Sequence, residues 1–417
     1  MNTAADRKLA AMGRWSLTVG LIAAAPCAVS AFSNLPPLQR LFAALPSQAG
    51  AFLQDLFDRQ QFFQSYLLAF LFWWGVAVGA LGLLMLTWLV RSNWGRAARP
   101  YLAAASLTLP LTALLFVPLA LETEVLYVWA RPEVVEQSPS LERKAPYLNV
   151  PFFLARAAGC FAIWTVGGLA LSVYPARWNS LAADAGSQPN NWRRKVSGVG
   201  LVLFVATTTV AACDWSMSLD PAWYSTIYGA LIGAGGMLTA MALVVILYAQ
   251  TLPSDDRGGD AASHEGNEPP PPTQLLADLG SLLLALVMIW AYFAFSQFMI
   301  IWSANLPVEA SWYLLRLQGG WQWSALSLLA LHFAAPFLLL LSRETKSSPV
   351  RMTAIGLLLL AVHLVALHWH VAPVFHPDRF HFAWTDVAAP LAMGGIWLFL
   401  FLRLLRRRLH APGEATS

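Results

Sequence analysis

Long apolar runs separated by short charged connections set the pattern of this chain. A helix needs roughly 20 mostly apolar residues to cross the ~30 Å hydrocarbon core of a bilayer. Ten runs meet that requirement, at about 15–32, 62–90, 101–121, 150–173, 196–216, 222–250, 275–304, 321–341, 352–371 and 385–405. They predict an all-α polytopic membrane protein with ten transmembrane helices. Basic residues test the count independently, because Lys and Arg collect on the cytoplasmic side of a membrane. With ten crossings, eighteen of the 26 Lys and Arg share the side of both termini, seven lie on the other side, and Arg156 falls inside the fourth run. A wrong number of helices would scramble that bias, so both termini are expected in the cytoplasm.

Composition narrows the class further. Hydrophobic residues are 58 % and charged residues 12 %, where soluble domains carry about 25 % charged. The mean hydropathy is +0.56, and 19 Trp suit the edges of a bilayer. A soluble enzyme, a nucleic-acid-binding domain and a disordered chain are excluded. The net charge of +4 follows membrane topology, so the lipid bilayer is an expected partner and nucleic acid is not. Cys27, Cys160 and Cys213 lie in apolar runs without CxxC, CxxCH or iron–sulfur spacing, so no covalently bound cofactor is expected. Cys27 and Cys160 read as buried small apolar residues.

One integral membrane domain, 1–417, accounts for the chain. Helices 1–6 fall within 15–250, an acidic Pro-rich cytoplasmic linker at 251–273, helices 7–10 within 275–405, and a basic cytoplasmic tail at 406–417. The linker has the composition of an extended or disordered segment. The first run, behind Arg7, Lys8 and Arg14, has features of a signal peptide; it is read as a retained helix. The loops at 33–61 and 122–149 contain amphipathic stretches expected to lie along the surface or to meet partners.

Ionisable groups in hydrocarbon are costly and carry a functional hypothesis. Asp214 stands about one turn before the fifth helix ends, and Arg156 starts the fourth at similar depth. Their pairing is either a static ion bridge or a proton-relay station. Asp220 is expected to cap the sixth helix with Pro221 in its first turn, and Trp223 to join an aromatic belt. His332 and His363 fall near the middle of two adjacent antiparallel helices. They suit a hydrogen-bonded or proton-conducting pair, more than the axial ligands of a b-type haem. His368, His370, His376 and His381 form a loose cluster without zinc spacing. Asp278 and Asp386 fit N-terminal helix positions favoured by the dipole, or the mouths of proton half-channels. Tyr292, Ser296 and Gln297 put polar groups between those depths.

Several long motifs add a resemblance. The stretch from Asp214 to Gly229, DWSMSLDPAWYSTIYG, resembles a signature of the ActF subunit of alternative complex III, within the wider NrfD and PsrC-like group of membrane proteins. So do Trp290–Pro307, Trp312-Tyr313, Gly319-Gly320-Trp321, His332-Phe333 and Pro336–Arg343. The similarity covers most of the chain from Tyr147 onward. It implies two four-helix bundles, the second to fifth and sixth to ninth helices, flanked by the first and last. It also implies a bacterial inner membrane and assembly with multihaem cytochrome c, iron–sulfur and second NrfD-like subunits, and with a terminal oxidase as an acceptor. The chain would then be a cofactor-free scaffold in a quinol-oxidising complex, with a proton path through Asp214, Arg156, Asp278, His332, His363 and Asp386. Quinol or menaquinol would bind at or near it, at residues the motifs do not identify. One departure stands out. The family pattern has an acidic residue where this chain has Ala366, so His363 or His368 would have to substitute or the path is absent. The alternative is an independent secondary transporter or proton channel, which broken helices at matching positions of two halves would favour; a purely structural anchor is a third reading.

Overall fold

The computed structural model describes residues 3–45, 53–54, 56–90, 92–173, 191–252 and 271–410. Among them are ten helices long and apolar enough to cross a membrane. They are α1 (Thr3–Ala31), α2 (Arg59–Leu89), α3 (Asn93–Leu121), α4 (Val150–Val173), α5 (Asn191–Trp215), α6 (Tyr228–Thr251), α7 (Pro272–Ala304), α8 (Trp321–Leu341), α9 (Pro349–Phe375) and α10 (Thr385–Leu409). The protein is an all-α multi-pass membrane protein. Residues 253–270 of the expected linker and 411–417 of the expected tail lie outside the described residues, as do Arg91, Arg177 and Arg257 of the basic set.

α2 to α5 close one four-helix bundle and α6 to α9 a second, while α1 and α10 pack on each other along their length and against α2. The bundles meet through α2 and α6. Glycine makes that crossing: a Cβ on Gly79 would stand 2.2 Å from the Gly236 carbonyl carbon, and one on Gly236 2.6 Å from the Gly75 carbonyl oxygen. Gly75 and Gly79 form a GxxxG face, the pattern that lets membrane helices approach backbone to backbone. α2 is accordingly buried over 94 % of its apolar window and α6 over 83 %. α1 and α10 repeat the device where Gly20 faces Gly395.

Proline interrupts two spans. Pro110 offers no N–H to the Ser106 carbonyl, and α3 breaks at Leu107–Thr108 between Asn93–Ser106 and Leu109–Leu121. In α8 the segment Leu328–Ala334 widens to a π-helix just before Pro336, which cannot bond the His332 carbonyl. These irregularities fall in the second helix of one bundle and the third of the other, so they do not form the matched breaks of a transporter repeat.

The α5–α6 connection departs from expectation. Asp220 does not cap α6, which begins only at Tyr228. Met217–Leu219 forms a 3₁₀ turn, and Asp220 accepts from the Ala222 N–H at 3.2 Å in a tight Asx turn. The reason is Trp223. It sits in no lipid-facing belt: it is 2 % exposed, stacks on Trp312 at 4.9 Å and donates its indole N–H to the Glu309 carbonyl, so burying it holds the backbone extended.

Candidate functional site

Asp214 and Arg156 meet as expected. Arg156 Nε donates to Asp214 Oδ2 at 2.6 Å and its Nη2 to Oδ1 at 3.0 Å. The guanidinium also donates to the Tyr147 carbonyl at 2.9 Å and lies over the Tyr147 and Phe152 rings at 3.9 and 4.4 Å. Asp214 is 1 % exposed. The loop between α3 and α4 covers it: Tyr127 donates to the Trp215 carbonyl and Trp129 to the Ser218 hydroxyl. Beneath lies a tryptophan-centred cluster, with Trp215 against Trp74 at 4.9 Å and Phe116 at 5.0 Å. Tyr147, outside the spans, has its phenol pushed up to about 12 by burial and by the Asp214 charge. Fork-to-fork pairing of this kind uses both carboxylate oxygens and fixes both partners.

The second group lies within the second bundle, on the side that faces α2. His332 on α8 and His363 on α9 stack, with ring centroids 5.4 Å apart and planes 27° from parallel. Trp290 of α7 closes the other side of His332 at 4.0 Å, and Phe72 of α2 lies 6.2 Å from His363. His363 exists in this place because Gly235 has no side chain, since a Cβ there would stand 2.5 Å from His363 Cε1. Both rings are buried, and neither His332 nitrogen nor His363 Nδ1 has a hydrogen-bond partner among the described residues. The pair is therefore stacked, not hydrogen-bonded as expected. His370 sits two turns further along α9, about 10 Å on. It bonds the Ala366 carbonyl through Nδ1 at 2.7 Å and leaves Nε2 unpartnered. Buried polar atoms are nearly always satisfied, so three buried imidazoles with unpartnered nitrogens on α8 and α9 are a departure that calls for a role.

At the end of α9 remote from the termini, a polar mouth gathers around Asp386. Its carboxylate accepts from the Ser65 hydroxyl at 2.6 Å, the Ala383 N–H at 2.8 Å and the Gln61 amide at 3.4 Å. His368 Nε2 stands 3.6 Å from it. His376 Nε2 lies 3.2 Å from both Gln61 Oε1 and Gln64 Oε1, and its ring stacks on His381 at 4.0 Å. Burial, then the His381 ring, holds His376 below the ordinary histidine range. The cluster is thus tighter than its sequence spacing suggests. The described residues contain no group of three or more His, Cys, Asp or Glu able to hold a metal ion.

Arg316, in the helix Pro307–Arg316 between α7 and α8, is fully buried with no carboxylate in ion-pair range among the described residues. It donates to the carbonyls of Trp369 at 2.9 Å, His370 at 2.8 Å and Trp312 at 2.9 Å, and lies 3.6 Å over the Trp312 ring. Pro373 explains the first of these. It has no N–H for the Trp369 carbonyl four residues earlier, and Arg316 supplies the missing donor.

The six expected path residues thus divide into separate places. Asp214 pairs with Arg156, His332 with His363, and Asp386 joins His368; no hydrogen bond or ion pair among the described residues links the three groups. Asp278 stands apart, half-buried at the opposite end of α7. Of the polar residues expected between these depths, Gln297 is buried and accepts from Ser225 at 3.1 Å, whereas Tyr292 is 65 % exposed on the outer surface and lines no internal route. Gln61, Gln64, Ser65 and Arg316 were not singled out from sequence. Gln61, Gln64 and Ser65 lie one turn apart at the start of α2, which was the available signal; nothing local marks Arg316. Neither a protein-family model nor a curated protein matches the chain.

Proposed function

We propose that the chain is a cofactor-free integral membrane subunit of a quinol-oxidising respiratory complex of the alternative complex III kind, which scaffolds its redox partners and conducts protons coupled to their electron transfer. The motif resemblance supports the assembly. The observation that supports the proton role is the file of buried imidazoles with unpartnered nitrogens, His370, His363 and His332. A neutral imidazole with one free nitrogen accepts a proton on one side and releases one on the other, which chains of His and carboxylate do in pumps. In this reading Asp214–Arg156 is structural, because both carboxylate oxygens and the whole guanidinium fork are already engaged. The bacterial inner membrane, with both termini cytoplasmic from the basic bias, is part of the same proposal. Electrons and quinol chemistry belong to multihaem cytochrome and iron–sulfur partners and to a second NrfD-like subunit.

Affinity purification of the tagged chain from native membranes tests the assembly: haem-stained cytochrome and iron–sulfur subunits should co-purify at fixed ratio. His363→Gln should leave complex abundance unchanged and lower proton release per quinol oxidised at least several-fold. Purification of the chain alone, or unchanged proton release with quinol oxidation intact, would overturn the respective half of the proposal.

A further inference from the structure

The α1–α10 pair holds a feature that proton conduction does not use. Toward the end that bears the termini, a cleft of about 280 Å³ opens between the two helices. Its floor is apolar, formed by Leu9 on α1 and Phe399 and Leu402 on α10, and Arg14 and Arg403 stand at its rim. Gly13 makes the cleft: a Cβ there would meet Leu402 and Phe399 only at 3.8 to 3.9 Å, so any longer side chain would grow into the space. The Arg14 and Arg403 side chains are exposed and make no hydrogen bond or ion pair among the described residues. Among the described residues the Asp6 carboxylate beside the cleft is already answered, since it takes two bonds from Arg406 at 2.8 and 3.0 Å, with His410 at 3.5 Å. The rim is therefore net positive. Trp15, 70 % exposed, marks the interfacial depth, and Val19 and Ile22 present lipid-facing surface one to two turns deeper.

A positive rim above an apolar floor, at the level where a span enters the headgroup region, matches one kind of molecule. We propose that this cleft binds an anionic phospholipid of the leaflet on the terminus-bearing side, its phosphate between Arg14 and Arg403 and its acyl chains over Leu9, Phe399 and Leu402. Basic clefts between transmembrane helices recognise acidic headgroups in this way. The proposal rests on the membrane-spanning architecture and is independent of the respiratory reading. The lipid would also staple α1 to α10, beside the Gly20–Gly395 crossing and the Asp6–Arg406 pair that already join them.

Native mass spectrometry of the purified full chain, or of the complex that contains it, tests this. The probes are phosphatidylglycerol and phosphatidylcholine of equal chain length, added back after delipidation. Phosphatidylglycerol should be retained in preference. Arg14→Gln and Arg403→Gln should each weaken its retention about five-fold, from roughly 1 kcal/mol per basic residue near the surface. Arg407→Gln, an exposed arginine of the same helix outside the cleft, should leave retention unchanged. Gly13→Leu should displace the lipid with every charge intact. Equal retention of the two lipids, an equal loss in Arg407→Gln, or retention unaffected by Gly13→Leu would each overturn the proposal. So would a cleft found lipid-free and covered by a partner helix in the intact complex. If Arg14→Gln gives no monodisperse protein, Arg403→Gln and Gly13→Leu carry the test.

Discussion

A carboxylate as fully withdrawn from water as Asp214 persists only because every lone pair it turns inward has a donor. Arg156 supplies two, and the Tyr147 and Phe152 rings shield the guanidinium from the other side. Removing one partner of such a pair strands the other. Asp214→Asn is expected to cost about 3 kcal/mol, measured as lost thermal stability in detergent and lower yield. Asp214→Asn with Arg156→Met should recover part of that loss. Normal stability with impaired proton release would instead make the pair a relay. Gly235→Ala tests the histidine file in the opposite sense. Its methyl collides with His363, so proton release should fall while the bulk fold, at about 1–3 kcal/mol of overpacking, survives. The Asp214–Arg156 pair was legible because a span-end depth argument suffices for two groups on adjacent helices. The Asp386 mouth was legible only in part: Asp386 and His368 could be seen as polar groups at one end. The Asp386 partners Gln61 and Ser65 sit some 320 residues earlier, and no local pattern brings α2 beside α10.

At the scale of elements, the end of α9 is a helix completed by a side chain from elsewhere. Arg316 stands in for the N–H that Pro373 lacks. Arg316→Met should therefore destabilise strongly, by about 3 kcal/mol for stranded buried carbonyls beside a lost cation. In a Pro373→Ala background the restored N–H should reduce that cost by about 1 kcal/mol, a coupling a double-mutant cycle isolates. The loop that follows should respond to pH. Because burial and His381 depress His376, the fold favours its neutral form. Stability is then present above the ordinary histidine range near 6.5 and is lost as pH falls through it, since the unfolded state takes the proton first. Protection factors of residues 376–384, with exchange corrected for its intrinsic pH dependence, should fall between pH 7.5 and 5.5, and His376→Asn should flatten that dependence. Most span limits could be read to within a few residues from apolar length alone. The start of α6 could not, because Asp-Pro reads as a helix entry, and what delays it is a distant packing partner, Trp312.

For the whole molecule, two glycine contacts decide how closely the bundles approach. Gly79→Ala places a methyl inside the Gly236 backbone, whereas a Cβ on Gly75 meets Gly236 at an ordinary 3.6 Å. Gly79→Ala should lower folded yield sharply, and Gly75→Ala should cost under about 1 kcal/mol; equal behaviour in a thermal assay would refute a backbone-limited crossing. The two-bundle plan was visible through motif likeness, but the sequence periodicity of α2 carries no direction: it is apolar on all sides, so no stripe announces which face meets α6.

That same uniformity bears on how the protein is made. α2 is at home in lipid from the moment it leaves the translocation machinery, yet its Gly75–Gly79 face stays bare until α6 has been synthesised, well over a hundred residues later. During that interval the nearest complementary groove belongs to another nascent copy. A chain truncated before residue 228 should pair with itself through that face, visible as a cross-linked dimer when Val76 is replaced by cysteine, and Gly79→Ile should abolish the pairing. Arrival of α6 would then be the step that withdraws this face from self-pairing.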